Sequence, residues 1–447
     1  MHRRSFLWTL ASAAAFPGLR ASTAWRAGLA SIDITPPLGL WMGGFAARTE
    51  PARGIALPLH AKALALEDAA GRRAVVVTLD LLGLTDRVAE RIAAAVGRRY
   101  GVPREGLLLC SSHTHSGPVI DDQLAVAYDL SPSQWEDIRA STRRIEGQVL
   151  DVVGRALDAL APAHLRRSQG EAGFGANRRV AFEPPGPVDP AVPVLAVERP
   201  GGRLAGLLFG YACHNTTLVA SFVQYHGDYA GVAQAELERR HPGAIAMFVQ
   251  GCGADANPKP RGTRELAEQH GRTLADAVER ALGGGSDVRG PLRRAFGTVT
   301  LPYAQAPGAE DWRRKLEDAN VYVRRHAKLM LDDIARDGRT RAAEAVPLHV
   351  LALGQSLFIG IGGEVVADYA LALKRKYGDA TWVAGYVDAV FGYLPSLRVL
   401  REGGYEGADA MLYFGRPGPF SEAVEDTVMA GLDGLVARAG ALKGRLP

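Results

Sequence analysis

The chain has 447 residues, of which 47% are hydrophobic and 22% are charged. This composition is typical of a globular protein with a large core and excludes a disordered or collagen-like chain. The formal net charge is +4, and no basic block or stripe of Lys and Arg interleaved with aromatic residues occurs. We therefore expect no nucleic-acid partner.

The first 24 residues have the layout of a bacterial export signal. Arg3 and Arg4 form a twin-arginine pair, an apolar run over 8–16 follows, and small residues before Trp25 offer a cleavage site. A first amphipathic helix of the fold is the alternative, but the segment lacks helical periodicity. We predict that residues 1–24 are a twin-arginine-type signal and that the mature chain is exported, to the periplasm or beyond.

Cysteine content and hydropathy narrow the class of protein further. Cys110, Cys213 and Cys252 are too few, and odd in number, for a disulfide framework in a chain of this size. We interpret them as small buried hydrophobic residues. No uncharged apolar stretch of about 18 residues follows the N-terminus, so the sequence predicts no membrane span.

Beyond the signal, apolar runs typical of strands alternate with amphipathic stretches typical of helices. This pattern predicts an α/β fold of mixed β-sheets covered by helices, in one large domain over 25–447. The predicted strands cover 74–79, 107–110, 204–213, 245–249, 348–353, 356–361 and 381–385. The predicted helices cover 87–100, 132–160, 231–240, 263–282, 310–336, 365–376 and 422–438. The charged helix over 310–336 is a candidate surface insertion or lid.

Imidazole and carboxylate side chains follow several of the apolar runs. His113 and His115 come after the strand over 107–110, His214 after the next buried run, and Glu364 after the strand over 356–361. Loops at strand ends gather ligands into one crevice in α/β folds. Imidazoles and a carboxylate in a crevice describe a catalytic type of zinc site, with protein ligands and an open position for water.

These residues also have plainer interpretations. His113 and His115 face the same side of an extended chain, so both could bind one metal, or one could bind while the other moves protons. Two hydrogen-bonded histidines without a metal, and a satisfied core histidine at His214, remain open. Glu364 could cap the helix that follows it. His226 could be an extra ligand, although a supporting or surface role fits it better.

Other residues and motifs bear on the chemistry of this crevice. Asp80, Asp228 and Asp255 each lie at the end of an apolar run and could orient the histidines. The glycines before Glu364 do not complete a dinucleotide-binding fingerprint, because its third glycine position is held by Val365. Neither a phosphate-binding P-loop nor the Gly-x-Ser-x-Gly elbow of serine hydrolases occurs.

A series of motifs then points to one family. The most specific is Ser-His-Thr-His-Ser-Gly-Pro at 112–118. Others follow in the family's order at 31–37, 42–45, 176–179, 214–216, 227–231, 250–258, 363–364 and 392–395. On these motifs the chain resembles the N-terminal catalytic domain of neutral, non-lysosomal ceramidases. The resemblance implies two central sheets covered by helices and zinc-dependent hydrolysis of a linear, ceramide-like N-acyl amide.

The resemblance also implies roles for individual residues. The zinc ligands would be His113, His214, Glu364 and Tyr393. Zn²⁺ would activate a water molecule for attack on the amide carbonyl. His115 would take the proton of that water and pass it to the leaving nitrogen. Arg178 or the Tyr393 hydroxyl would donate hydrogen bonds to the carbonyl oxygen as it becomes negative.

The sequence departs from the family at two points. Gly251 stands where ceramidases carry a serine once proposed as the nucleophile, a change that matters little if metal-activated water attacks. The family's C-terminal immunoglobulin-like domain is not part of this sequence, so a smaller or more polar amide than ceramide is also open. Hydrolysis of an ester or lactone, and a noncatalytic binding relative, are the alternative functions. The substrate would be a small-molecule or lipid amide, and the oligomeric state is left open.

Overall fold

A computed structural model describes residues 25–182 and 185–440. The predicted export signal over 1–24 lies outside the described residues. The strands are β1 (Trp25–Asp33), β2 (Gly54–Ile55), β3 (His60–Glu67), β4 (Arg73–Leu79), β5 (Leu107–Ser111), β6 (Ala161–Glu171), β7 (Gly175–Asn177), β8 (Ala191–Glu198), β9 (Leu204–Tyr211), β10 (Gln224–Tyr225), β11 (Ile245–Gln250), β12 (Ala256–Pro258), β13 (Ser286–Asp287), β14 (Leu292–Pro302), β15 (Ala343–Leu353), β16 (Ser356–Ile361), β17 (Glu364–Val365), β18 (Trp382–Ala384) and β19 (Tyr393–Leu394).

The α-helices are α1 (Asp86–Tyr100), α2 (Pro132–Asp158), α3 (Asp228–Arg240), α4 (Arg264–Leu282), α5 (Ala309–Lys315), α6 (Val321–Asp337), α7 (Ala367–Tyr377), α8 (Leu397–Glu402), α9 (Gly404–Gly407) and α10 (Val424–Ala439). Short 3₁₀ turns lie at Arg104–Gly106, Ala125–Ala127 and Asp409–Leu412. None of these helices is both long and apolar enough to cross a bilayer.

Two mixed sheets form the centre of the fold. The first has the strand order β11-β9-β8-β6-β1-β3-β4-β5, with β13 also paired to β6. Its outer pairs, β11 with β9 and β4 with β5, are parallel, and the pairs between them are antiparallel. The second sheet has the order β14-β15-β16-β18. Short two-stranded pairs, β17 with β19 among them, lie outside these sheets.

The two sheets pack face to face between two layers of helices. Alternate residues of a strand point to opposite faces: in β3, Ala61 and Ala63 pack towards α1 and α2, whereas Leu64 and Leu66 pack towards the second sheet. Helices α3 and α4 cover the other half of the first sheet, and α7 and α10 cover the outer face of the second. The layers therefore run helix, sheet, sheet, helix, which confirms the predicted fold class.

The structure corrects some of the predicted elements. The single helix expected over 310–336 is two helices, α5 and α6. It is interrupted because Asn320 adopts an extended conformation and its side chain caps α6 by accepting from the Tyr322 N–H at 2.9 Å. The Tyr322 hydroxyl donates to the Ala46 carbonyl at 3.1 Å, so α6 contacts the loop that follows β1.

Candidate metal centre

The chain brings its predicted site residues together through the ends of strands from both sheets. His113 and His115 lie beyond the end of β5, and His214 lies beyond β9. Thr114 and Asn215 form a parallel bridge that holds these two loops side by side. Glu364 lies in β17, just before α7 as expected, and pairs in register with Tyr393 of β19. Four separate segments of the chain thus meet at one point.

At that point two imidazoles face one carboxylate. His113 Nε2 lies 3.1 Å and His214 Nε2 lies 3.2 Å from the same oxygen, Glu364 Oε2. His115 Nε2 lies 3.1 Å from His113 Nε2. All four side chains are buried. The ligand nitrogens of the three histidines lie within 4.8 Å of one another, close enough to hold one metal ion.

Backbone carbonyls set the orientation of the two rings beside Glu364. His113 Nδ1 lies 2.7 Å from the Leu82 carbonyl oxygen, and His214 Nδ1 lies 2.9 Å from that of Gly253. A carbonyl oxygen only accepts, so each Nδ1 carries the hydrogen and each Nε2 presents a lone pair. Two lone pairs and a carboxylate oxygen therefore point at one another. Such a set of acceptors fits a bound cation, and nitrogen with carboxylate oxygen is a donor set that zinc accepts.

The protonation states agree with this arrangement. Burial lowers the pKa of His214 to about 4, although Glu364 opposes the change. Burial also lowers the pKa of His115 well below its usual value, and the neighbouring His113 and His214 lower it further. Neutral imidazoles are the forms that bind metals.

His115 differs from the other two histidines. Its Nδ1 has no hydrogen-bond partner among the described residues, and its ring packs against Phe45, with centroids 4.7 Å apart. The backbone of Gly44 also lies against Nδ1, since a Cβ added there would be 2.3 Å from it. One nitrogen of the His115 ring thus contacts His113, while the other has no partner among the described residues, which suits a group that takes up and releases protons.

Tyr393 and Arg178 complete the site. The Tyr393 hydroxyl lies 3.3 Å from His214 Nε2 and accepts a hydrogen bond from Arg178 Nη2 at 2.9 Å. Arg178 Nε donates to Glu406 Oε1 at 2.5 Å. Burial would lower the pKa of Arg178, but Tyr393 and Glu406 raise it. Arg178 is thus a permanent cation held beside the hydroxyl.

Groups to which the sequence assigns no role also contact the site. The Tyr386 hydroxyl lies 3.5 Å from Glu364 Oε2, and its ring lies 4.4 Å from that of His113. Tyr386 follows β18 at a strand end, as His113 follows β5, but that position alone predicts no role for a tyrosine. The carbonyls of Leu82 and Gly253 leave no such signal, because any residue supplies a carbonyl.

The three aspartates do not orient the histidines. Asp255 accepts from the Ala367 N–H at 3.0 Å, and so takes the helix-capping role considered for Glu364. Asp228 accepts from the Leu218 N–H at 2.9 Å, and Asp80 from the His60 N–H at the same distance. These carboxylates satisfy backbone donors at the start of β3, at the start of α7 and in the loop after β9.

His226 and the cysteines have structural roles in the described part of the chain. His226 is buried, its backbone carbonyl accepts from the Thr114 hydroxyl at 2.6 Å, and its side chain lies outside the group of histidines that could share a metal. Cys110, Cys213 and Cys252 are free and buried, and burial raises the pKa of each thiol.

The site opens into a pocket of about 230 Å³. Besides the site residues, its walls are small or apolar and include several aromatic rings. They are formed by Gly44, Phe45, Ala46, Ala47, Leu82, Leu124, Tyr405, Tyr413 and Phe414. A few polar side chains at the bottom of a pocket with apolar walls are typical of a site that binds a small molecule.

Fold and site together define an α/β protein with a buried centre of histidine and carboxylate. The sequence profile of the neutral/alkaline non-lysosomal ceramidase family, N-terminal part, matches residues 25–272, more than half of the chain. The chain therefore belongs to this family, as its motifs predict. Family membership implies a hydrolase acting on amide bonds.

Solved structures agree on the fold. A neutral ceramidase from Pseudomonas aeruginosa is 21% identical with a TM-score of 0.73, over 95% of this chain and 75% of that one. A ceramidase complexed with C2 is 20% identical with the same TM-score, over 95% and 76%. A search of curated protein sequences gives no match.

Proposed function

We propose that this chain is a zinc-dependent hydrolase that cleaves the amide bond of an N-acyl compound, with ceramide-like lipids as the leading substrate class. The observation that carries the proposal is the convergence of His113 Nε2 and His214 Nε2 on Glu364 Oε2, at 3.1 and 3.2 Å. Three acceptors at these distances repel one another unless a cation or a proton lies between them. His113, His214, Glu364 and Tyr393 would hold the ion.

Zn²⁺ in this position would supply a positive charge that activates water and polarises a carbonyl oxygen. The side chains around it have separate tasks. His115 takes the proton of the attacking water and gives it to the leaving nitrogen, which would otherwise depart as a strongly basic anion. Arg178 and the Tyr393 hydroxyl that it contacts donate to the carbonyl oxygen as negative charge develops. The aromatic walls of the pocket exclude water and bind the apolar part of the substrate.

The test is metal analysis coupled to turnover. We expect about one zinc per chain, hydrolysis of a fluorescent N-acyl sphingosine, loss of that activity on chelation, and recovery on adding Zn²⁺. Rates measured on a panel of amides and matched esters show which type of bond the enzyme cleaves. Cleavage of the esters without cleavage of the matched amides would replace the amidase by an esterase, and stoichiometric zinc without cleavage of any amide or ester would indicate a noncatalytic binding relative.

We also propose that residues 1–24 direct export. Replacing both Arg3 and Arg4 by lysine should retain the protein in the cytoplasm of a bacterium that has the twin-arginine pathway. Fractionation followed by immunoblotting measures this. Unchanged export of the double variant would contradict the proposal.

A further inference from the structure

Arg48, between β1 and β2, is a buried cation without an anion. Its side chain is 5% exposed. Nη2 donates to the His115 carbonyl at 3.1 Å, whereas Nε and Nη1 have no partner among the described residues. The nearest acidic residue in the sequence, Glu50, pairs with Arg53 instead. Burial lowers the pKa of Arg48 to about 10, so the group is still charged at neutral pH. Such a charge destabilises a fold unless an anion compensates it.

Other unpaired groups near Arg48 can also donate hydrogen bonds. The loop that bears Arg48 lies along the segment after β5, where the Val119 N–H donates to the Trp41 carbonyl at 2.9 Å. Ser116 Oγ in that segment and Trp41 Nε1 in the loop are buried and have no partner among the described residues. An indole N–H and a guanidinium only donate, and a hydroxyl can donate. Unpaired donors beside an uncompensated positive charge fit an anion.

Arg48 lies directly behind one wall of the pocket at the metal centre. Phe45, Ala46 and Ala47 line the pocket on this side, and Arg48 follows them in the chain. The guanidinium carbon lies 5.6 Å from the centroid of the Phe45 ring, and the same half-buried ring lies 4.7 Å from the ring of His115. Movement of the Phe45 side chain would therefore open the guanidinium to a molecule in the pocket.

We propose that Arg48 binds a carboxylate on the amine half of the substrate, so that the chain hydrolyses N-acyl amino acids in preference to neutral amides. This inference rests on the proposed amidase function, in which His115 gives a proton to the leaving nitrogen. Because Arg48 donates to the carbonyl of that same histidine, it lies on the amine side of the bond that breaks. Its Nε and Nη1 are available for charge-assisted hydrogen bonds, which are the strong ones. Water adds to the acyl carbon and the C–N bond breaks, so the products are a fatty acid and a free amino acid.

The first test compares matched substrates on the full chain. N-octanoylglycine and N-octanoylethanolamine differ only in a carboxylate in place of a hydroxymethyl group. The octanoyl amides of β-alanine and 4-aminobutyrate, each with its matching amino alcohol, move the carboxylate farther from the amide. At the best spacing we expect kcat/KM to be about 10–100-fold higher for the acid than for the alcohol. Equal values for acid and alcohol at every spacing would overturn the proposal.

The second test removes the charge of Arg48. Arg48→Met should lower kcat/KM for the acid about 10–100-fold, mainly through KM, and leave the value for the alcohol unchanged. Because it also removes an uncompensated buried charge, it should not lower the melting temperature of the ligand-free protein. Arg53→Met, in an exposed ion pair of the same loop, is the control and should change neither value. A lower melting temperature with equal losses on both substrates would show that Arg48 is only structural.

Calorimetry separates this inference from the amidase. After chelation the chain should not turn over, and the acid should still bind about 10–100-fold more tightly than the matched alcohol. If this preference is found but neither amide is hydrolysed by the zinc-loaded chain, the carboxylate site stands and the amidase fails. If both amides are hydrolysed and bound equally well, the amidase stands and the carboxylate site fails.

Discussion

Two buried clusters of histidine and carboxylate lie in this fold, and they differ in charge. At the candidate metal centre, His113 and His214 present lone pairs to the Glu364 carboxylate, and all three groups accept. In the second cluster, the Asp388 carboxylate oxygen lies 2.6 Å from His349 Nε2 and accepts from Arg104 Nη2, also at 2.6 Å. The second cluster contains its own cation. Among the described residues no cation contacts Glu364, because Arg178 donates to Tyr393 and Glu406 instead, so a bound cation or a proton has to balance the first cluster.

The second cluster, around Asp388, supports the first cluster, around Glu364. Asp388 lies between Tyr386 and Tyr393, and its N–H donates to the Leu109 carbonyl of β5 at 2.7 Å. Tyr386, Asp388 and His113 have φ values of 56°, 61° and 62°, a left-handed conformation that costs free energy for residues other than glycine. The ion cluster around Asp388 holds this strained segment against the strand that leads to His113.

The largest effect should come from removing the charge that the first cluster needs to bind a cation. In Glu364→Gln the amide can donate to one of the two Nε2 atoms, so the cluster is satisfied without a metal. We expect metal affinity to fall by more than about 100-fold, since even residues that only contact ligands cost about 10–100-fold, and turnover to be lost. Metal analysis and initial rates measure this.

Glu422→Gln is the matched control, because Glu422 is an exposed partner of Arg401. It should retain both metal and turnover. A Glu364→Gln protein with a full complement of zinc would show that the converging acceptors are not a metal site.

The next largest effect should come from His115, and it distinguishes this histidine from the metal ligands His113 and His214. His115→Ala should keep the metal, because His113, His214 and Glu364 remain, and should lower kcat by about 10²–10⁴-fold, the usual contribution of a proton-transfer group. Zinc content and kcat are measured on the same preparation. Loss of the metal together with the rate would make His115 a ligand.

The third prediction concerns the stability that the second cluster, around Asp388, gives to the fold. Asp388→Asn removes the buried carboxylate of Arg104 and leaves it only the exposed Glu90, 3.4 Å away, so we expect the free energy of unfolding at pH 7 to fall by up to about 3 kcal/mol. Asp287→Asn, the same change in an exposed ion pair, should have little effect. Urea unfolding followed by circular dichroism measures both.

The pH dependence of that difference follows from the pKa of Asp388. Burial would raise this pKa, but His349 and Arg104 together hold it below the usual value of 3.8. A carboxyl whose pKa is lower in the folded state stabilises the fold above its unfolded pKa and loses this contribution as the pH falls through the folded value. The difference in free energy of unfolding between wild type and Asp388→Asn should therefore be constant near neutrality and shrink below about pH 4. A gap that widens there would contradict this account.

The sequence predicts the first cluster better than the second, for a physical reason. Strand ends in an α/β fold meet at common edges, so a strand followed by His113 and another followed by His214 predict a shared site. Asp388 and Arg104 are 284 residues apart, and no local pattern indicates that they meet. The backbone carbonyls that orient the rings are equally invisible, because their chemistry does not depend on the side chain.

The strands of the fold also differ in how well the sequence predicts them. Runs rich in valine and leucine, such as β4 and β5, are predicted almost to the residue. β3 (His60–Glu67) is missed because alanines, which are poor strand formers, alternate with its leucines. β6 (Ala161–Glu171) is missed because it carries arginines, glycine and proline. β3 forms by pairing with β1 and β4, and β6 by pairing with β1 and β8. This pairing outweighs local preference.

The smallest effect on activity should come from restoring the family's serine at Gly251. A Cβ at this position would lie 3.0 Å from both Cα and Cβ of Ala212, so the backbone leading to His214 would have to move. We expect Gly251→Ser to lower stability by about 1–3 kcal/mol without raising kcat, because a metal-activated water needs no serine. Gly147→Ser, at an exposed helix position with free space, is the control. A tenfold gain in kcat in Gly251→Ser would instead show that a hydroxyl takes part in the reaction. It would contradict the proposal that a cation bound by His113, His214 and Glu364 activates the attacking water without a serine.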